Sequence, residues 1–281
     1  MSHLTSPAPS PREIIGLMPS GGQANRLAPL PASKELYPIG FRSTDEGLRP
    51  KVVCAYLLEA MQRAGVSKTY IILREGKWDI PAYLKDGAML AMPLAYLLMN
   101  LPFGVPYTVD QAYPFVRHGL IAFGFPDIIF QPEDAFTTLI THQTDTAADL
   151  VLGLFPTDYP QKADMVEFDR DGRLRKIVIK PEQTDLVYTW IIAVWTPTFT
   201  EFMHNYVQLA YKRPAYAEAD PGATGWPELY IGRVFQAAID AGLKVEYTLF
   251  REGNFLDIGT PEDLVRAIDR STIQLPPTRQ T

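Results

Sequence analysis

Cysteine and histidine are scarce in this sequence, and their scarcity excludes several kinds of site. The 281 residues include one cysteine, Cys54, and four histidines. A single cysteine cannot form an internal disulfide, and no spacing of cysteine and histidine supports a zinc site. We therefore predict a reducing, cytoplasmic environment, with Cys54 in the hydrophobic core rather than acting as a nucleophile.

Long hydrophobic runs and an excess of positive charge are also missing. No apolar run reaches the length of a membrane span, and the N-terminal segment lacks the hydrophobic core of a signal peptide. The formal net charge is −6. We therefore predict that neither a membrane nor a nucleic acid is a partner of this chain.

The chain does contain a regular alternation of strand-like and helix-like segments. Its length and its 47% hydrophobic content suit one large α/β domain, which we place at residues 13–272, with flexible ends at 1–12 and 273–281. The alternation predicts a mostly parallel sheet with helices on both faces. The predicted helices are 52–64, 133–142, 198–209, 229–241 and 261–268, and the predicted strands are 14–18, 69–73, 120–123, 150–155, 165–168, 175–179, 187–195 and 245–250.

An Asp-Gly turn at Asp171-Gly172 lies between two alternating runs and predicts a small antiparallel hairpin. The same turn contains Asp169-Arg170-Asp171, which matches the aspartate-x-aspartate pattern of glycosyltransferases that use nucleotide sugars. Aspartates commonly serve the backbone of such turns. We interpret these two aspartates as turn residues.

The most informative segment follows the first predicted strand, at residues 17–40. Gly21 and Gly22 allow backbone N–H groups to approach a phosphate without an intervening Cβ. Arg26 and Lys34 add two cations that can neutralise a phosphate chain. Taken alone, the glycine pair also fits an ordinary tight turn, and the segment matches neither the P-loop nor the Rossmann glycine pattern.

The whole segment resembles the signature of the sugar-phosphate nucleotidyltransferases, also called sugar-nucleotide pyrophosphorylases. Ala24, Asn25 and Ser33 depart from that signature, where the family has glycine, threonine and proline. The resemblance implies a Rossmann-like sheet of the GT-A-like type. It also implies phosphate-binding roles that we assign by position to Gly21, Gly22, Asn25, Arg26 and Lys34, with Arg26 and Lys34 as the catalytic residues.

A second string, at residues 253–264, resembles another motif of the same family. Its Asp257-Ile258-Gly259-Thr260-Pro261 stretch places Asp257 on a metal-binding aspartate, and the resemblance places Asp127, after the strand at 120–123, on the other. The family's metal is Mg²⁺, which prefers carboxylate oxygens. Turn capping by Asp127 is the competing interpretation.

The resemblance is weaker around the second substrate. Gln111 matches a glutamine near the base and sugar, and Lys180 matches a lysine that contacts the sugar phosphate, although an exposed lysine at a strand end is equally ordinary. The family's glycines are replaced by Thr108 and Asp164. Its sugar-binding glutamate is replaced by Ile179.

Together these motifs imply an enzyme that joins a nucleoside triphosphate and a sugar 1-phosphate to give an NDP-sugar and pyrophosphate. The alternative is a paralogue that binds a nucleotide or nucleotide sugar with little or no turnover, and a glycosyltransferase of similar topology is a third hypothesis. Homo-oligomers are common in the family. The sequence leaves the base, the sugar and the oligomeric state open.

Overall fold

A computed structural model describes residues 12–44, 47–99, 104–212 and 228–273. Its strands are β1 (Ile14–Ser20), β2 (Pro38–Thr44), β3 (Gly47–Val52), β4 (Lys68–Arg74), β5 (Leu94–Met99), β6 (Leu120–Gly124), β7 (Ile128–Gln131), β8 (Leu150–Pro156), β9 (Asp164–Phe168), β10 (Leu174–Ile179), β11 (Tyr188–Trp195), β12 (Val245–Leu249) and β13 (Asn254–Asp257). Its helices are α1 (Val53–Arg63), α2 (Asp79–Leu84), α3 (Val105–Asp110), α4 (Tyr113–Val116), α5 (Ala135–Thr146), α6 (Pro197–Tyr211), α7 (Ile231–Asp240) and α8 (Pro261–Ile273).

Nine of these strands form one twisted sheet with β1 near its centre. β1 pairs in parallel with β4 and β6, and β4 pairs in parallel with β5. β11 runs antiparallel between β6 and β8, and β12 is parallel to β8. The β9–β10 hairpin joins the sheet through β11.

The central strands are buried because helices cover both faces of the sheet. On one side, α1 and α5 contribute Leu57 and Phe136 to a core layer. On the other side, α6 and α7 contribute Phe199 and Phe235. A strand packed on both faces needs apolar side chains in both directions, which explains the nearly continuous apolar run of β1.

The predicted Rossmann-like α/β sheet, mostly parallel with a small antiparallel part, is confirmed. All eight predicted strands and all five predicted helices are present, with bounds shifted by a few residues. Cys54 is buried in α1, where burial raises the pKa of its thiol, so its predicted place in the core is confirmed. The predicted flexible ends lie outside the described residues except for Arg12 and Ile273.

The predicted hairpin turn is also present. Gly172 adopts a positive φ of 77°, a conformation that glycine adopts without strain. The carboxylate of Asp169 accepts the backbone N–H groups of Asp171 and Arg173 at 2.9 and 2.8 Å. Asp169 therefore serves the turn, as the sequence predicts.

Among the helices of the described residues, none combines the length and the apolar character that a bilayer crossing requires.

Candidate active site

The predicted phosphate-binding residues lie at the carboxyl edge of the parallel strands. β1 ends at Ser20, and the loop that follows carries Gly21, which is buried, and Gly22, which is exposed. The neighbouring strand β6 ends at Gly124 and leads to Asp127. Because β1 and β6 are parallel, both segments leave the sheet at the same edge, which is where α/β proteins bind ligands.

A pair of short strands brings Asp127 and Asp257 together across 130 positions of the chain. β13 is antiparallel to β7, with Asp257 opposite Ile128. The backbone N–H of Ile258 donates to the carbonyl of Asp127 at 2.9 Å. Asp127, directly before β7, therefore lies beside Asp257, the last residue of β13, as the metal-site hypothesis requires.

The two cations of the first motif point at these aspartates. The ammonium of Lys34 forms an ion pair with the carboxylate of Asp127 and lies 4.0 Å from the position of a Cβ built on Gly22. Burial disfavours the ammonium, but the carboxylates of Asp127, Glu35 and Asp257 together outweigh that penalty and raise the pKa of Lys34. Lys34 is therefore held in its charged form between the glycine loop and the carboxylates.

Arg26 and Asp257 approach each other beside Gly259, where a larger residue would be crowded. A Cβ on Gly259 would lie 3.0 Å from both Nη2 of Arg26 and Oδ1 of Asp257. The absence of that Cβ leaves room for the guanidinium beside the carboxylate. The first and the last motifs of the chain thus converge in one site.

The carboxylate of Asp257 is destabilised in this site. Burial and the negative charge of Asp127 raise the pKa of Asp257 to about 6, although Lys34 and Arg26 act in the opposite direction. An additional cation placed between the two aspartates would relieve this repulsion.

The donor chemistry fits a hard divalent cation. Mg²⁺ is commonly held by one or two carboxylates, with substrate phosphates and water completing its shell. Within the described part of the chain, no cluster of three or more histidine, cysteine, aspartate or glutamate residues is arranged to hold a metal. Asp127 and Asp257 therefore fit Mg²⁺ that arrives with a phosphorylated substrate better than a metal enclosed by protein ligands alone.

The glycine loop is held in place by contacts that sequence reasoning did not identify. The carboxylate of Asp79, at the start of α2, accepts the backbone N–H of Ser33 at 2.6 Å and its hydroxyl at 2.7 Å. Next to Lys34, the buried Glu35 forms an ion pair with Lys77. No local motif marks these pairs, since their members are more than 40 positions apart.

The departures from the family signature have visible consequences in the loop. Ala24, where the family has glycine, adopts a φ of +54°. This left-handed conformation costs a residue with a Cβ about 1–2 kcal/mol relative to an ordinary one. Asn25 is exposed, and its amide donates to the side chain of Gln23 at 3.1 Å.

Among the described residues, no hydrogen bond joins the amide of Gln111 to the glycine loop. That amide donates to the carbonyl of Tyr107 one turn earlier, at 3.3 Å. Two other side chains lie against the glycine loop: Sδ of Met99 is 3.3 Å from a Cβ position on Gly21, and Oγ1 and Cγ2 of Thr108 are both 3.9 Å from it. Thr108 therefore narrows the space beside the loop.

Lys180 belongs to a different group of side chains. Its ammonium lies 4.7 Å from the ring centroid of Tyr230 and acts electrostatically on Asp164. The site thus has two parts: the carboxylate pair with Arg26 and Lys34, and a second group that contains Lys180.

A mixed α/β sheet with a glycine loop after its central strand and two carboxylates at the same edge defines an α/β protein of the Rossmann-like class, which binds ligands at this edge. The nucleotidyl transferase family model matches residues 15–272. The chain belongs to this family.

Its similarity to named relatives is modest but extends over most of the chain. A glucose-1-phosphate thymidylyltransferase of an Actinoplanes species is 26% identical over 90% of this chain. The enzymes of the same name from Streptomyces antibioticus and Streptomyces griseus are 24% and 25% identical over 92% and 89%. The matched regions cover 77%, 66% and 63% of those three proteins.

A solved structure supports the fold. A protein of Bacillus anthracis, provisionally described as a glucose-1-phosphate thymidylyltransferase and crystallised with sucrose, superposes with a TM-score of 0.76. The alignment covers 94% of this chain and 96% of the other, at 17% identity. At that identity, the likeness concerns the fold alone.

Proposed function

We propose that this chain is a sugar-1-phosphate nucleotidyltransferase. It joins a nucleoside triphosphate to a sugar 1-phosphate and releases pyrophosphate, with an NDP-sugar as the product. An oxygen of the sugar phosphate forms a bond to the α-phosphorus, and the bond from the α-phosphorus to the bridging oxygen of the β-phosphate breaks. No covalent enzyme intermediate is needed, because positioning and charge neutralisation supply the catalysis.

The observation that carries this proposal is the convergence of Arg26 and Lys34 on Asp127 and Asp257 at the end of β1. A triphosphate bound there would meet the backbone N–H groups at Gly21 and Gly22. Arg26 would stabilise the leaving pyrophosphate with two parallel hydrogen bonds, and Lys34 would neutralise a phosphate as a point charge.

Asp127 and Asp257 would hold Mg²⁺, which when bound neutralises the triphosphate and the charge that develops at the α-phosphorus. Lys34 already occupies one oxygen of Asp127, so it also fixes the direction of that carboxylate. Lys34 and, to a smaller extent, Arg26 oppose the effect of burial on the Asp257 carboxylate in part.

The sugar phosphate would be bound by Lys180 and the base by the region of Thr108 and Gln111. The curated relatives are glucose-1-phosphate thymidylyltransferases, so dTTP with glucose 1-phosphate is the first pair to test. The single buried thiol suits the reducing cytoplasm as the site of the reaction.

The test is pyrophosphate release with dTTP, UTP, CTP, ATP and GTP, each against a panel of sugar 1-phosphates, with and without Mg²⁺. We expect Mg²⁺-dependent release for at least one pair. Asp257→Asn should lower kcat/KM by about a hundredfold or more, while Asp171→Asn, which changes an exposed carboxylate on the hairpin turn, should leave it unchanged.

Two outcomes would contradict the proposal. If the protein binds nucleotides in calorimetry but releases no pyrophosphate with any pair, it is a binding paralogue. If it transfers sugar from an NDP-sugar to an acceptor instead, it is a glycosyltransferase.

A further inference from the structure

Four side chains form a second polar group near the proposed phosphate site. Asp164 begins β9, Trp190 lies near the start of β11, and Lys180 and Tyr230 face Asp164 from the end of β10 and the start of α7. We call these four residues the Asp164 cluster.

Two complementary polar atoms of this cluster are buried without a partner. Among the residues that the structure describes, neither Oδ1 of Asp164 nor Nε1 of Trp190 has a hydrogen-bond partner. The indole N–H faces the Asp164 carboxylate and favours its charged form, but the two groups do not reach hydrogen-bonding geometry. A buried acceptor and a buried donor, both unsatisfied, are costly to maintain unless a ligand satisfies them.

The indole of Trp190 is held rigidly. It packs edge-on against Phe235 at 4.9 Å between ring centroids and against Phe125 at 5.7 Å. A register shift in the β8–β11 pairing falls between Trp190 and Ile192, and such bulges redirect side chains next to binding sites. The N–H of Trp190 therefore has a fixed direction.

The position of the Asp164 carboxylate also depends on the absence of a side chain at Gly232. A Cβ on Gly232, at the second position of α7, would lie 2.6 Å from Oδ2 of Asp164 and 2.7 Å from Cδ1 of Ile179. The glycine therefore makes room for the carboxylate beside an apolar neighbour. Burial raises the pKa of Asp164 to about 6, and Lys180 opposes this only in part.

The cluster lies at the same edge of the sheet as the phosphate site. β11 is antiparallel to β6, with Ile192 opposite Gly124, the last residue of β6. The start of β11 therefore meets the end of β6, and Phe125, which contacts Trp190, is two positions before Asp127. A substrate spanning this edge would meet both groups.

We propose that Asp164 is the specificity-determining residue for the sugar. Its carboxylate accepts a hydrogen bond from one hydroxyl or amino group of the sugar ring, and the Trp190 N–H donates to the same group or to a neighbouring oxygen. This inference rests on the proposed function, since the sugar 1-phosphate is the ligand. A ring hydroxyl both donates and accepts, which is what the two unsatisfied atoms require. Lys180, beside Asp164, neutralises the phosphate of the same molecule.

The test combines protein variants with substrate variants. Hexose 1-phosphates that carry hydrogen or an amino group in place of one ring hydroxyl are compared in wild type, Asp164→Asn and Trp190→Phe. In wild type, removal of one particular hydroxyl should raise the KM for the sugar phosphate about ten- to hundredfold, as expected for a hydrogen bond to a charged group. In Asp164→Asn, removal of the same hydroxyl should have much less effect.

The controls separate binding from folding. Asp164→Asn keeps the shape of the side chain, Trp190→Phe removes the indole N–H while retaining an aromatic ring, and thermal unfolding shows whether each variant is folded. Asp171→Asn on the β9–β10 turn should leave the KM for the sugar phosphate unchanged, and the KM for the nucleotide should be unchanged in all three variants. The amino-substituted substrates show whether Asp164 prefers a hydroxyl group or an ammonium group on the sugar ring.

Equal losses in wild type and Asp164→Asn for every substituted sugar would overturn the inference. If Asp164→Asn does not fold, the same comparison with Trp190→Phe decides. Calorimetric binding of hexose 1-phosphate tests the inference independently of turnover. If binding depends on Asp164 but no pyrophosphate is released, the inference stands and the proposed function is wrong.

Discussion

Asp257 stands in the site at a cost to the stability of the free protein. Burial and Asp127 raise its pKa from 3.8 to about 6. Between those two values the folded state binds more protons than the unfolded state, so this group makes stability fall as the pH rises through that window. Above pH 6 the cost is present in full, and below pH 4 it disappears.

Replacing Asp257 by asparagine should therefore stabilise the free protein although it lowers kcat/KM. At about pH 8 we expect the free energy of unfolding to rise by about 1–3 kcal/mol, because a shift of one pKa unit corresponds to about 1.4 kcal/mol. Urea unfolding at pH 8 and pH 4 measures the difference. The gain should vanish at the lower pH, and an equal gain in Asp171→Asn would show that it is unrelated to the site.

Ala24 is a second residue with a cost in stability, in this case from its backbone conformation in the loop. Its φ of +54° suits glycine better than alanine, yet the loop still returns in a tight turn, with the N–H of Leu27 donating to the carbonyl of Ala24 at 2.9 Å. An alanine therefore occupies a left-handed position in this loop, and contacts elsewhere offset the cost of that conformation.

At the scale of elements, the contact that holds this loop is the pair of hydrogen bonds from Ser33 to Asp79 on α2. Burial acts against the carboxylate, but the two hydrogen bonds from Ser33, together with backbone N–H groups at the start of α2, prevail and lower the pKa of Asp79. For a carboxyl with a lowered pKa, the stabilisation is present above its unfolded value near 4 and is lost on acidification.

We expect Asp79→Ala to destabilise the protein by about 1.5–3 kcal/mol and to raise the KM for the nucleotide, because the carboxylate loses its two hydrogen bonds from Ser33 and one from the backbone of Ile80. Ser33→Ala removes the hydroxyl bond alone and should cost about 1 kcal/mol. Urea unfolding and initial rates measure both effects. Ser43→Ala, on the exposed face of β2, is the control, and equal costs for all three variants would contradict the anchoring role.

The elements that the sequence predicts and those that it does not differ in how they are buried. β1, β6 and β8 are buried on both faces and appear as continuous apolar runs. The hairpin of β2 and β3 is largely exposed and contains Pro50, so neither run length nor alternation marks it. The short strands β7 and β13 are four residues each, which is too short to show an alternation of apolar and polar residues.

The same limit applies to the site. Family resemblance suggests Asp127 and Asp257, but the strand pairing that joins them lies in β7 and β13. The local sequence pattern does not indicate these two strands. Glu35 and Lys77 show no motif because their contact depends on the folded chain. Gln111, chosen by resemblance, donates its amide to the carbonyl of Tyr107 one turn away, and its role toward the base stays a prediction.

At the scale of the whole molecule, the site depends on contact between the two ends of the chain. A small apolar cluster contains Ile39 from β2, Val53 from α1, and Ile258 and Ala267 from the C-terminal segment. Ile258 follows Asp257 directly, and its N–H donates to the carbonyl of Asp127. Packing in this cluster therefore sets the distance between the two carboxylates.

We expect Ile258→Ala to lower the free energy of unfolding by about 2–4 kcal/mol, because the side chain is 1% exposed and its loss leaves a cavity. Catalysis should fall as well, since the cavity loosens the β7–β13 pairing next to Asp257. Val265→Ala on α8 is the matched control: Val265 is 58% exposed, so its loss should change stability by less than about 0.5 kcal/mol. Urea unfolding and Mg²⁺-dependent pyrophosphate release measure the two effects. A variant of Ile258 that loses stability but keeps full activity would show that the apolar cluster does not position the carboxylates.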